Sequence, residues 1–160
     1  MKTYYKDSEL EVRDAVPSDA IAIGNNMRKS DRNEIWKSNH ATPRAAILTG
    51  YRESVISLTA TINGEPVAIT GIVPTTFLGN SAVIWMLATD KINKIPRRFA
   101  KQSRLIIGRF LQHYPHLYNF VDIENTGSIK WLKWCGAEFG PVNNYGMEQK
   151  PFRYFQFLRR

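Results

Sequence analysis

Apolar and polar positions alternate along this chain with a period that changes repeatedly, and each change marks an element. Leu10 to Val16 reads as a short strand ended by Pro17, after which Ser18 stands as N-cap of a helix carrying Ala20, Ile23 and Met27 at helical spacing. The polar stretch Arg28 to Arg32 interrupts that pattern. Glu34 to Ser38 resumes as a helical turn, and Thr42-Pro43 supplies the cap and first residue of a second helix through Arg52. Val55 to Ile62 and Glu65 to Val73 are rich in Val, Ile and Thr and flank Asn63-Gly64, a pair that tolerates the positive φ angles of a type I′ hairpin turn.

After a loop with Pro74, Gly79 and Asn80, the run Ala82 to Thr89 (AVIWMLAT) predicts a central strand covered on both faces. Pro96 opens a helix to Tyr114 with Phe99, Ser103, Ile106, Ile107 and Phe110 on one side and Arg97, Lys101, Arg104 and Arg109 mostly on the other. His116 to Asp122 predicts a strand, and Thr126 to Cys135 a short helix stopped by Gly136. The tail, punctuated around Tyr145-Gly146 and ending in PFRYFQFL, predicts a closing antiparallel pair. The order is β-α-α-β-β-β-α-β-α-β-β, an α/β (α+β) arrangement.

With 160 residues, 43% of them hydrophobic, the chain has length for one compact domain, taken as residues 1–160, and apolar surface enough to fold alone. No run approaches the roughly 20 apolar residues of a membrane span, and the opening MKTYYKDSELEVRD lacks the apolar core of a secretory signal, so a cytoplasmic protein is expected. The single Cys135 excludes an intramolecular disulfide and a thiolate-rich zinc site, and it reads as a small buried apolar residue. His40, His113 and His116 are scattered without metal spacing, so no metal is expected. A formal charge of +8 draws anions of several kinds without choosing among them. Trp131 and Trp134 share one short helix, which makes that helix apolar over more than one face and points to a partner or subunit interface, a homodimer among the options.

Three segments carry a resemblance. EVRDAVPSDA, NGEPVAITGIV and above all NFVDIENTGSIKWLKWCGAEF are similar to the opening strand, the hairpin with its following strand, and the fifth strand with its following helix in the Gcn5-related N-acetyltransferase (GNAT) superfamily. In the last segment Asn125 ends the strand, Ser128 is the small residue three later, and Gly136 falls eleven after the Asn. More narrowly, the C-terminal half resembles acetyltransferase-like internal virion proteins of short-tailed bacteriophages, which would place the protein in the host cytoplasm or in a virion. The resemblance implies a mostly antiparallel mixed sheet splayed between its fourth and fifth strands, helices on both faces, and acetyl-CoA held at the splay. It assigns the cofactor to the backbone of Leu87, Ala88 and Thr89, to Lys94, Arg97 and Arg98 near the phosphates, and to Asn125 and Ser128 near the pantetheine. It places Glu34 and Trp36 where acceptors are bound.

The chain departs from the family in two places. Where the family turn carries spaced glycines that let backbone N–H groups approach the pyrophosphate, this chain has KINKIPRRFAKQ, with no glycine. Lys94, Arg97 and Arg98 either replace those contacts with side-chain ones or form a solvated basic face at a helix start. The position of the family's general-acid Tyr is Leu132, which transfers no proton; Tyr118, Tyr145 and Tyr154 remain as donors without a placement. For a general base, Asp90, Asp122 and Glu124 lie on or beside the relevant strands, although each reads more readily as an ordinary strand-end carboxylate on the surface. The resemblance therefore supports two functions: acetyl transfer from acetyl-CoA to an amine by direct attack, or a catalytically inactive GNAT-like phage protein that binds virion or host proteins. Nucleic-acid binding by the basic helix and the aromatic tail is a third, less favoured reading, because an alternating aromatic strand serves more often as core.

Overall fold

The Asn63-Gly64 pair turns at φ of +50° and +81°; in this computed structural model, which describes residues 1–160, it joins two of eight strands. In chain order these are β1 (Thr3–Lys6), β2 (Leu10–Asp14), helices α1 (Pro17–Asn25), α2 (Lys29–Asn39) and α3 (Pro43–Glu53), then β3 (Ile56–Ile62), β4 (Glu65–Pro74) and β5 (Ser81–Ala88). A 3₁₀ turn at Asp90–Lys94 leads into α4 (Pro96–His113), followed by β6 (His116–Asp122), α5 (Thr126–Trp134), β7 (Glu138–Tyr145) and β8 (Lys150–Leu158). One sheet contains all eight strands in the order β1-β2-β3-β4-β5-β6-β8-β7.

Every neighbour pair is antiparallel except β5 and β6, which are parallel and pair only through Ser81–His116, Ala82–Leu117 and Val83–Tyr118. Beyond that point the two strands separate. The Asn119 side chain enters the gap: its Nδ2 donates to the Ile84 carbonyl at 2.7 Å, while its Oδ1 accepts from the Phe120 N–H at 2.8 Å. One side-chain amide thus takes the place of the next ladder rung, satisfying both orphaned backbone groups while holding the strands apart.

Both sheet faces are covered. On one, α4 and α5 bury Ile107, Phe110 and Leu132 against Val12, Leu58, Ile84, Leu117 and Phe155, and each of the larger side chains contributes about 1.5–3 kcal/mol by leaving water. On the other, α1, α2 and α3 bury Ala20, Ile23, Ile35 and Ile47 against Ile69, with Trp85 and Leu87 of β5 packed at the margin. β5 is therefore central and covered on both sides, as AVIWMLAT predicts, although the residues from Trp85 to Leu87 are only half-buried because β6 has moved away.

Several local expectations are corrected. β1 adds an edge strand that four short, partly charged residues do not announce. The N-cap of α1 is Val16, not Ser18; Pro17 takes the first helical position, and Asp19 reaches back to accept from the Val16 N–H at 2.9 Å. Met27 lies outside the helix, in an isolated bridge to Thr89. The polar stretch after it is helical from Lys29, so three helices, not two, precede the hairpin. The added helix, α2, is held by tertiary contacts of Asp31 and Ile35, which sequence periodicity does not reveal. By contrast β6 spans the predicted residues and Thr42 caps α3 by accepting from the Ala45 N–H.

Candidate functional site

Separation of β5 from β6 leaves a cleft of two adjoining lobes that share Arg28, Met86, Ser128 and Trp131. The inner lobe, about 180 Å³, is walled by α2 through Glu34, by β6 through Asn119 and Phe120, and by Tyr145 at the end of β7. The outer lobe, about 260 Å³, lies between the 3₁₀ turn with the start of α4 and the start of α5, and is lined by Asn93, Pro96, Phe99 and Gly127.

Glu34 is the most perturbed carboxyl at the cleft. Its Oε1 accepts from the Asn125 Nδ2 at 2.9 Å and from the Asp122 N–H at 3.1 Å. Burial pushes its pKa up to about 7, outweighing those hydrogen bonds, with the Asp31 and Asp122 carboxylates adding to the rise. A carboxyl near neutrality inside a cleft has the proton affinity a general base needs at physiological pH. Asp31, one turn earlier on α2, is also pushed up by burial; it meets Arg28 Nε at 2.8 Å and accepts from the Ala88 N–H at 2.9 Å. Trp131 presents a buried indole N–H with no partner in a wall common to both lobes. An unpaired buried donor costs free energy that a ligand oxygen would recover.

The expected cofactor residues divide. Ser128 lines both lobes, with its Oγ 3.5 Å from Arg28 Nη2. Lys94 and Arg97 are exposed beside the outer lobe, without carboxylate partners. Arg98 is committed elsewhere: its two terminal nitrogens meet Asp7 at 3.1 Å and Glu9 at 2.6 Å in the β1–β2 turn. Nor are the backbone groups of Leu87 to Thr89 free to align an acyl arm. Ala88 donates to Asp31 and accepts from the Arg28 N–H, Thr89 donates to the Val67 carbonyl, and ladder parity turns Leu87 toward β4 as well. Met86 is the residue whose backbone turns to the opening. Asn125 caps α5, accepting from the Ser128 N–H, and spends its Nδ2 on Glu34.

Of the expected acceptor residues, Glu34 is in the cleft and Trp36 is not: it is 55% exposed and packs on His40. The carboxylates considered as bases lie outside. Asp122 is buried rather than superficial and ion-paired to Lys37 at 2.6 Å, Glu124 shares that lysine, and Asp90 is exposed. Tyr145 alone of the three candidate tyrosines lines the cleft, stacked on Phe120 with ring centroids 4.5 Å apart. Leu132, at the position where the resemblance places a general-acid Tyr, is buried between the lobe and the apolar space under α4. Arg28 and Trp131 were missed as site residues, since neither carries a motif; a cation in a polar break before a helix is the only trace the sequence offers. No helix is long and apolar enough to cross a membrane, and no group of three or more His, Cys, Asp or Glu is placed to hold a metal ion.

Comparison with known proteins agrees with this fold. The family model described as bacteriophage T7, probable scaffold protein Gp13, matches residues 57–144, which run from β3 to the end of β7 and include both sides of the split. No curated protein matches the chain. Among solved structures, a ribosomal-protein-S5-alanine acetyltransferase from Vibrio fischeri is 12% identical with a TM-score of 0.71, over 99% of this chain and 97% of that one. Spermidine N-acetyltransferase from Vibrio cholerae, solved with CoA and spermine, is 15% identical with a TM-score of 0.65, over 95% of this chain and 96% of that one. Ribosomal-protein-alanine N-acetyltransferase from Brucella melitensis is 13% identical with a TM-score of 0.69, over 92% and 99%. At such identities the likeness establishes the fold, which is that of the GNAT superfamily.

Proposed function

This chain belongs to the family described as bacteriophage T7, probable scaffold protein Gp13, and from the split GNAT sheet and the cleft it opens we propose that it binds an acyl-CoA in the cleft and transfers the acetyl group of acetyl-CoA to an amine by direct attack. The observation that carries the reading is Glu34, a carboxyl raised to about 7 where the strands part. Acetyl-CoA, when bound, supplies the activated acyl group. The outer lobe fits an anionic, amide-bearing arm: Lys94 and Arg97 stand free for phosphates, Ser128 and Arg28 line the passage, and the unpaired Trp131 N–H awaits an acceptor. Glu34, held in place by Asn125, takes a proton from the incoming ammonium so that the neutral amine can attack. Tyr145 is the hydroxyl left to assist the leaving thiolate. The protein acts in the host cytoplasm or within the virion.

A second reading rests on a different observation. The turn before α4 has no glycine, the Ala88 N–H is closed by Asp31, and Arg98 is tied to the β1–β2 turn, all of which suit a fold retained as a scaffold for virion or host proteins. Calorimetric titration with acetyl-CoA, with CoA and ATP as controls for general anion attraction, separates the two. Binding of acetyl-CoA and CoA well above ATP supports the transferase. Absence of heat, or equal binding of ATP, removes it and leaves the scaffold.

A further inference from the structure

The surface formed by α4 and α5 differs from the rest of the protein. Neither helix contains an Asp or Glu. Arg97, Lys101 and Arg104 fall at i, i+4 and i+7 on α4, so they form a single stripe with one cation per turn, about 4.5–6 Å apart along the axis. Lys130 and Lys133 of α5 are exposed on the neighbouring helix. None of these five has a carboxylate partner, and neither helix carries an acid to neutralise them. At the junction of the two helices the Arg104 guanidinium lies 4.8 Å from the Trp134 ring centroid, and that indole is 50% exposed.

We propose that this stripe is a binding site for single-stranded nucleic acid, with Trp134 stacking a base and the five cations following the backbone phosphates. Charge complementarity selects a polyanion, since cations crowded on two helices without acids repel one another until an anion arrives. The half-exposed indole, already holding a guanidinium plane, selects a partner with flat faces over an acidic peptide, which would use the cations and leave the ring idle. Apart from Arg97, which borders both, the acyl-CoA cleft does not account for the surface. Neither Arg104 nor Lys130, Lys133 or Trp134 lines either lobe. No base-reading element accompanies the stripe, so binding is tolerant of sequence.

Fluorescence anisotropy with a labelled oligothymidylate tests this on the intact chain. The logarithm of the association constant falls linearly with the logarithm of salt concentration, with a slope of about 3–4 when five phosphates are neutralised. Arg104→Glu with Lys133→Glu abolishes binding at moderate salt, and Trp134→Ala weakens it about 5- to 150-fold while Trp134→Phe restores most of it. Thermal melts of each variant confirm folding, and acetyl-CoA titrations of the same variants are unchanged, so failure here is distinguishable from failure of the transferase reading. Tighter binding of duplex than of single strand, full affinity in Trp134→Ala, or equal displacement by polyglutamate each overturns the proposal.

Discussion

The side-chain amide of Asn119 occupies the first missing rung between β5 and β6, 2.7 Å from the Ile84 carbonyl. The split in the sheet is therefore built by a residue, not left by the absence of one. Asn119→Ala leaves the Ile84 carbonyl and the Phe120 N–H without partners at a partly buried position, which costs about 1–3 kcal/mol. Urea unfolding of the variant reads the loss, and amide exchange at Phe120 accelerates. Unchanged stability would mean that the rung re-forms directly and that Asn119 is not the wedge.

Glu34 gives the protein a pH dependence of defined sign. Its pKa is raised from the ordinary 4.5 to about 7 in the folded state, so between those values the folded chain holds a proton that the unfolded chain has lost. Stability contributed by the protonated form is complete below about 4.5 and is lost as pH rises through 7, by at most about 3–3.5 kcal/mol. Glu34→Gln keeps the acceptor oxygen for Asn125 and Asp122 and removes the titration. Denaturation at pH 5 and pH 8 finds the variant gaining on the wild type at the higher pH. An identical pH slope in both proteins would remove Glu34 as the titrating group, and with it the base.

Much of this architecture is written locally. The Asn63-Gly64 turn, the Thr42-Pro43 start of α3 and the stripe of Ile107 and Phe110 under α4 each follow from neighbouring residues, because turn geometry and helical period are short-range properties. The site is written across long distances. Glu34 is buried against Asn125 and Asp122 from the other half of the chain, and that burial raises its pKa; Arg98 is drawn to Asp7 and Glu9, and Arg28 reaches Ser128. α2 is polar almost throughout and lies where it does through Asp31, Ile35 and the Lys37–Asp122 pair. No periodicity encodes such partners. The glycine-free turn and Leu132 were readable as departures, but the closure of Ala88 by Asp31 required the fold.

Gly146 allows the β7–β8 turn to close over the end of α2. At φ of +73° a Cβ there would lie 2.5 Å from the Ser38 Cα and 2.8 Å from its carbonyl oxygen. Two hydrogen bonds depend on that approach, from the Met147 N–H to the Ser38 carbonyl and from the Glu148 N–H to the Lys37 carbonyl. Gly146→Ala combines backbone strain with loss of both bonds and costs roughly 2–4 kcal/mol. Because α2 also carries Glu34, the variant shifts the pH profile of any activity as well as the melting temperature. A wild-type melting curve would show that the turn does not brace the helix.

Adjacent arginines separate structure from ligand binding. Arg98 ties α4 to Asp7 and Glu9, and Asp7 is itself held well below the usual carboxylate range by the Leu10 and Glu9 N–H groups, with Tyr5 and Arg98 assisting. Arg98→Ala therefore lowers the melting temperature and leaves acetyl-CoA affinity in place. Arg97, exposed and unpaired, does the reverse: Arg97→Ala melts as wild type and binds acetyl-CoA roughly three- to tenfold more weakly, as expected for one exposed charge-assisted phosphate contact. The same rank order in both assays would contradict this division of labour.

Leu132 offers the sharpest test of catalysis, because the side chain there has no proton to give. It lies on α5 between the inner lobe and the space under α4, with cavity on both sides to receive a larger ring. Leu132→Tyr places a phenol where the resemblance locates the general acid, and a positioned acid of this kind contributes about 10²–10⁴-fold in a mature site. Even a poorly aimed hydroxyl should raise kcat for acetyl transfer by about tenfold. Leu132→Phe carries the same overpacking, which costs about 1–3 kcal/mol, and no proton, so it isolates the chemistry. A gain in the Tyr variant that the Phe variant lacks shows that the cleft already binds and aligns both substrates. If neither variant acetylates an amine although acetyl-CoA binds, the cleft lacks more than an acid at this position.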